Sequence, residues 1–302
     1  MKFRVALALA VCLFAGHSFA NKLTIAVTLQ PYAKLVHQIG GDKIQIVTMI
    51  PPEADPHTYE PKPSILKEFS KASIYFSDNS GIDEAWLPRF KGVNKGVKIV
   101  WISEGISWIK SEHHHEHELN HNAHKKTDHT THDDDDENEE SLDPHLWTSP
   151  IQLKIIADNM CKALTQADSK NADYYAKQTQ TLKNRLDSLD ARLRESIEKL
   201  PQSLRTFIVF HPSYGYFARD YGMTQIAVEV DGKEPKPKDL FNLSRIGKKN
   251  NVHIVFVQPE FSKRAATTIA RELNAVILDT NPLDYDYERN IIALLNAITG
   301  QI

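Results

Sequence analysis

The chain has 302 residues, of which 41% are hydrophobic and 25% charged, and a formal net charge of −3. That near-neutral balance excludes a strongly basic nucleic-acid binder. Two cysteines in a chain this long exclude a disulfide framework, and the length leaves room for one large or two ordinary domains.

Residues 1–20 read as a secretory signal. Lys2 and Arg4 precede an apolar run from Val5 to Ala15, and Ser18-Phe19-Ala20 places small residues at the two positions a signal peptidase reads. The run is shorter than the about 20 residues of a spanning helix. A lipid attachment at Cys12 is disfavoured by the bulky Val11 before it. Cleavage after Ala20 makes Asn21 the first residue and lowers the net charge to −5. Cys161 is then the remaining cysteine, in a helical pattern beside Met160 and Leu164, which predicts a buried, inert thiol.

β-Branched residues at 23–28 predict a strand, followed by a helix at 32–39 that stops at Gly40-Gly41. Residues 43–50 predict a second strand, 63–72 a helix, and 73–77 and 98–102 two more strands. The first half therefore reads as β-α-β-α-β-α-β, the pattern of a parallel α/β sheet. Residues 112–142 contain almost nothing apolar and are expected to be a disordered loop. Two helices are predicted next, at 149–167 and 173–200; the second carries Leu182, Leu186, Leu189, Leu193, Ile197 and Leu200 on one face and would be about 40 Å long. Strands at 206–210, 225–230, 252–257 and 275–279, with helices at 215–221, 238–249, 262–273 and 287–297, repeat the first pattern. The expected architecture is two parallel-sheet α/β lobes of about four strands each, at 21–150 and 201–302, joined through 151–200 by a long rigid helix. Ligands of such sheets bind at the carboxyl ends of strands and in clefts between lobes.

Fourteen histidines are the most informative feature. Eight lie in the low-complexity loop: His113, His114, His115, His117, His121, His124, His129 and His132. Flexible imidazoles beside the acidic run Asp133–Glu140 suit weak, multivalent collection of metal, with no fixed geometry. His37 and His253 fall within helix and strand patterns and read as structural. His57, His145 and His211 each sit beside a proline, in a loop near a strand end or helix start. Asp279 closes the last strand. Three imidazoles and one carboxylate make a four-coordinate set suited to Zn²⁺. Asp279 also has a plain reading as a turn cap.

These stretches also resemble a known family. PHTYEP at 56–61, DPHLWTSP at 143–150, FHPSYGYFARDYG at 210–222, GKEPKPKDL at 232–240 and VQPEFS at 257–262, with the His-rich insertion before DPHLW, are similar to the zinc subgroup of the metal-binding solute-binding proteins of bacterial ABC importers. The resemblance covers the whole chain after the signal. It implies two lobes joined by a long helix and a single metal site in the interlobe cleft. By this resemblance His57, His145 and His211 are the imidazole ligands and Asp279 the candidate fourth. It implies a periplasmic carrier, monomeric and not an enzyme, that takes up Zn²⁺ and delivers it to a membrane permease. Manganese-selective relatives usually carry glutamate where this chain has His211. Pro56 stands where some zinc members have an acid, which leaves the fourth ligand open between Asp279, a water and a loop residue. A manganese or iron carrier of the same fold, a zinc hydrolase and a metal buffer without an importer remain as alternatives. The chain has no His-Glu-x-x-His motif to favour the hydrolase.

Overall fold

Among the described residues eight short strands form two all-parallel sheets. The computed structural model describes residues 22–52, 54–78, 80–111, 142–229 and 233–301. The expected signal segment and the eight loop histidines lie outside the described residues. The first sheet holds β1 (Leu23–Val27), β2 (Ile44–Thr48), β3 (Ile74–Ser77) and β4 (Lys98–Trp101) in the order β2-β1-β3-β4. The second holds β5 (Thr206–Val209), β6 (Thr224–Ala227), β7 (Ile254–Val257) and β8 (Val276–Asp279) in the order β6-β5-β7-β8. The two lobes thus share one strand order, and the β-α repeat read from the sequence is present in both.

Helices cover both sheets, and their starts are written in the sequence. Pro31, Pro63, Pro150 and Pro237 sit in the first turn of α1 (Gln30–Gly40), α2 (Pro63–Phe69), α4 (Pro150–Ala167) and α7 (Pro237–Lys249), where the missing N–H costs nothing. Ser149 and Ser262 cap α4 and α8 (Lys263–Leu273) by accepting from the N–H of Ile151 and Arg264. α6 (Gly215–Tyr221) ends at Gly222 with φ +64°, a left-handed turn that glycine adopts without strain. The β-α repeat required a helix between β3 and β4, and α3 (Gly81–Val93) supplies it.

α5 (Ala172–Glu198) is the element both lobes share. Leu182, Leu186, Leu189, Leu193 and Ile197 are buried along one face, and α4, α1 and α9 (Tyr287–Ile298) pack on the helix. One continuous apolar core contains Ile25 and Val27 of β1, this α5 stripe, and Phe207 and Val209 of β5. Cys161 is half-buried on α4 and unpaired with any other cysteine. Among the described residues no helix is long and apolar enough to cross a membrane.

Candidate metal centre

Three loops bring three imidazoles together, and each loop is fixed by a polar side chain. After β2 the chain turns at Asp55, whose carboxylate accepts from the His57 N–H (2.9 Å) and the Thr58 hydroxyl (2.9 Å). Before α4, Asp143 accepts from the His145 backbone N–H and holds its Nδ1, both at 2.8 Å. His211 follows β5 directly. Gln258, after β7, accepts from its N–H (3.2 Å) and donates to its carbonyl (2.7 Å). Glu229, after β6, lies 2.8 Å from His211 Nδ1. The loops come from different strand positions: His57 follows the edge strand β2, and His211 follows the inner strand β5.

The ligand nitrogens of His57, His145 and His211 all lie within 4.8 Å of one another. His145 and His211 approach to 3.2 Å between Nε2 atoms. Around them the wall is apolar. Phe261 stacks on the His211 ring at 5.4 Å, and Trp147 meets the His145 ring edge-on at 5.3 Å. The space left among these side chains is ≈ 30 Å³, far below the several hundred of an organic-ligand pocket.

The charge state suits a ligand. Burial lowers the His145 pKa, against the pull of Asp143 in the other direction. His57 is exposed as a residue, but its ring lies 5.0 Å from that of His211, and its pKa falls to about 4 through desolvation and then repulsion from His211 and His145. A neutral imidazole offers the lone pair a metal needs. A carboxylate can only accept, so Asp143 and Glu229 hold the protons on Nδ1 and turn Nε2 of His145 and His211 inward.

Asp279 does not join the cluster. It ends β8 with its side chain 71% exposed, 2.5 Å from Lys263 Nζ. In this arrangement the last strand delivers Asp279 to the surface, where it meets the first residue of α8, apart from the three imidazoles. His37 lies in α1, 3.3 Å from the Tyr285 hydroxyl, and His253 precedes β7 beside none of the three cleft histidines. Sequence reasoning missed Asp143 and Glu229. Asp143 had a local trace, two residues before His145; Glu229 had none, because it reaches His211 through the pairing of β6 with β5.

Residues 25–301 match the family model described as zinc-uptake complex component A, periplasmic. The chain is 29% identical over 274 residues to the high-affinity zinc uptake system protein ZnuA of Bacillus subtilis, covering 89% of this chain and 81% of that one. A crystal structure of ZnuA superposes with a TM-score of 0.80 at 32% identity, covering 93% and 99% of the two chains. The manganese-bound periplasmic metal-binding protein from Candidatus Liberibacter asiaticus shares the fold, with a TM-score of 0.76 at 19% identity over 93% of this chain and 99% of its own.

Proposed function

This chain belongs to the ZnuA family of periplasmic solute-binding components of ABC metal importers, and on that premise we propose that it captures Zn²⁺ in the cleft and delivers it to a membrane permease. The observation that carries this reading is the trio of imidazoles, two of them oriented by carboxylates, around one small shared space. Nitrogen donors favour zinc over manganese, a harder ion that prefers carboxylate oxygen. The small cavity favours an ion over the organic substrate of a hydrolase.

Capture proceeds by ligand exchange. His57, His145 and His211 replace the water of the incoming ion, and the groups on Nδ1 of His145 and His211 hold those rings still while they do so. The metal joins loops from both lobes, so it stabilises the closed arrangement by mass action, by about 2.7 kcal/mol at a hundredfold excess over Kd. The His-rich run 113–132 serves as a weak collector that raises the local ion concentration and passes metal to the cleft. Export follows cleavage after Ala20, and the carrier acts as a monomer.

Uptake of labelled zinc into vesicles containing the cognate importer tests delivery. Wild-type protein lacking residues 113–140 should support uptake, and His211→Ala should not. Equal uptake with and without the binding protein would overturn the delivery role.

A further inference from the structure

Three nitrogens account for an ion in the cleft, and the side chains beside them bear on which ion it is. The space shared by the imidazoles is also lined by Pro56, Pro144, Trp147, Phe261, Pro282 and Leu283, whose side chains offer a metal no lone pair. Two of these are aromatic rings set against ligands. Trp147 meets His145 edge-on at 5.3 Å, and its one polar atom, the indole N–H, is turned to the Pro282 carbonyl at 2.7 Å. Phe261 lies almost flat on His211, with 5.4 Å between ring centres and 23° between planes.

Phe261 is held there from a second side. Its ring also stacks on Phe210 at 5.0 Å and 25°, and Phe210 belongs to the buried core of the second lobe. Its N–H donates to the Gln258 carbonyl at 3.2 Å, which closes the turn between β7 and α8. The residue is half-buried, so part of it meets solvent while part lines the space among the imidazoles. A water on a bound ion needs acceptors for its hydrogens, and a wall of ring carbons supplies none. Zn²⁺ accepts four ligands, whereas Mn²⁺ favours an octahedral set of oxygens. We infer that Phe261 is a specificity-determining residue: it keeps water off the His211 side of the ion, holds the coordination number low and so disfavours Mn²⁺. The inference rests on the cleft being the metal site. It adds coordination number to the donor preference of the three nitrogens, and it makes selectivity something the protein can lose with all three histidines in place.

The test uses the full chain with no more than one equivalent of metal. Co²⁺ reports coordination number, because four-coordinate Co²⁺ absorbs visible light far more strongly than six-coordinate Co²⁺. Wild type should give intense bands. Phe261→Ala should give weak ones and bind Mn²⁺ more tightly, with the ratio of Zn²⁺ to Mn²⁺ affinity lowered about 10–100-fold, the range over which changes around the ligands act. Phe261→Leu, which returns apolar bulk without the flat ring, should restore both the bands and the ratio. A gain in Mn²⁺ affinity is not what a damaged fold or a loosened His211 would produce. Intense bands and an unchanged ratio in Phe261→Ala would overturn the assignment. So would a Phe261→Leu variant that behaves as Phe261→Ala does, since the effect would then belong to stacking on His211 rather than to exclusion of water. If His211→Ala kept the wild-type bands, the cleft would not be the metal site, and that failure is distinct from the failure of Phe261 alone.

Discussion

His145 and His211 face each other Nε2 to Nε2 at 3.2 Å. Each has its Nδ1 proton held by a carboxylate, so in the neutral state two lone pairs point into the same small space. That arrangement is unfavourable unless a cation lies between them. The fold therefore holds two of its imidazoles in a geometry that a metal ion relieves.

Removing either carboxylate should free its ring to rotate. Asp143→Asn and Glu229→Gln are expected to lose about 10–100-fold in zinc affinity while keeping the native circular dichroism spectrum. Chelator competition measures this. Asp143 should cost more, because it also holds the His145 backbone.

The depressed histidine pKa values set a direction with pH. The folded His57 titrates at about 4, against about 6.5 for an ordinary histidine. Between those values the unfolded chain binds more protons, so the His57 contribution to metal-free stability is present above pH 6.5 and is lost as pH falls toward 4. Asp78 acts oppositely: burial, then the Asp83 charge, raises its pKa, so its contribution falls as pH rises. The difference between wild type and His57→Ala in chemical denaturation isolates the first effect and should grow with pH over that window. By the same reasoning the cleft should hold zinc at a pH where ordinary loop histidines have released theirs, which titration with and without residues 113–140 will show.

The strands and their order along the chain were legible in the sequence because β-branched runs bounded by Gly and Pro are local features. The long helix was legible for the same reason, and its leucine stripe is the buried face of α5. α3 was implied by the β-α alternation but could not be placed, since Pro88 and two glycines interrupt its apolar pattern. His57, His145 and His211 were legible from their proline-flanked loops. Their partners were not: Glu229 is 18 residues from His211, and only parallel pairing brings it close. The position of Asp279 at a strand's end was legible from its residues, whereas the direction of its side chain depends on the packing around it.

Trp147 ties the loop that carries His145 to the second lobe. Its indole N–H donates to the Pro282 carbonyl at 2.7 Å, and its ring also packs on Tyr32 at 5.6 Å. Trp147→Phe keeps much of the packing and removes the bond, leaving a carbonyl without its donor. Urea unfolding should show a loss of about 1–3 kcal/mol, with faster zinc release in stopped-flow chelation.

Asp83 is fully buried in the first lobe and accepts from Thr28 (2.6 Å), Ser77 (2.6 Å), the Tyr75 hydroxyl and the Asp78 N–H (2.9 Å). Asp83→Ala removes the acceptor that these groups share. The expected cost is about 3–5 kcal/mol, the range for breaking a buried charged network, read by thermal or urea unfolding of the metal-free protein.

The most direct measurement is chelator competition with Zn²⁺ and Mn²⁺ on protein lacking residues 113–140, comparing wild type with His57→Ala, His145→Ala and His211→Ala. The structure predicts one tight Zn²⁺ site, weakened in every variant and scarcely displaced by Mn²⁺. Binding indifferent to all three substitutions, or Mn²⁺ held as tightly as Zn²⁺, would contradict a zinc carrier built on these three histidines.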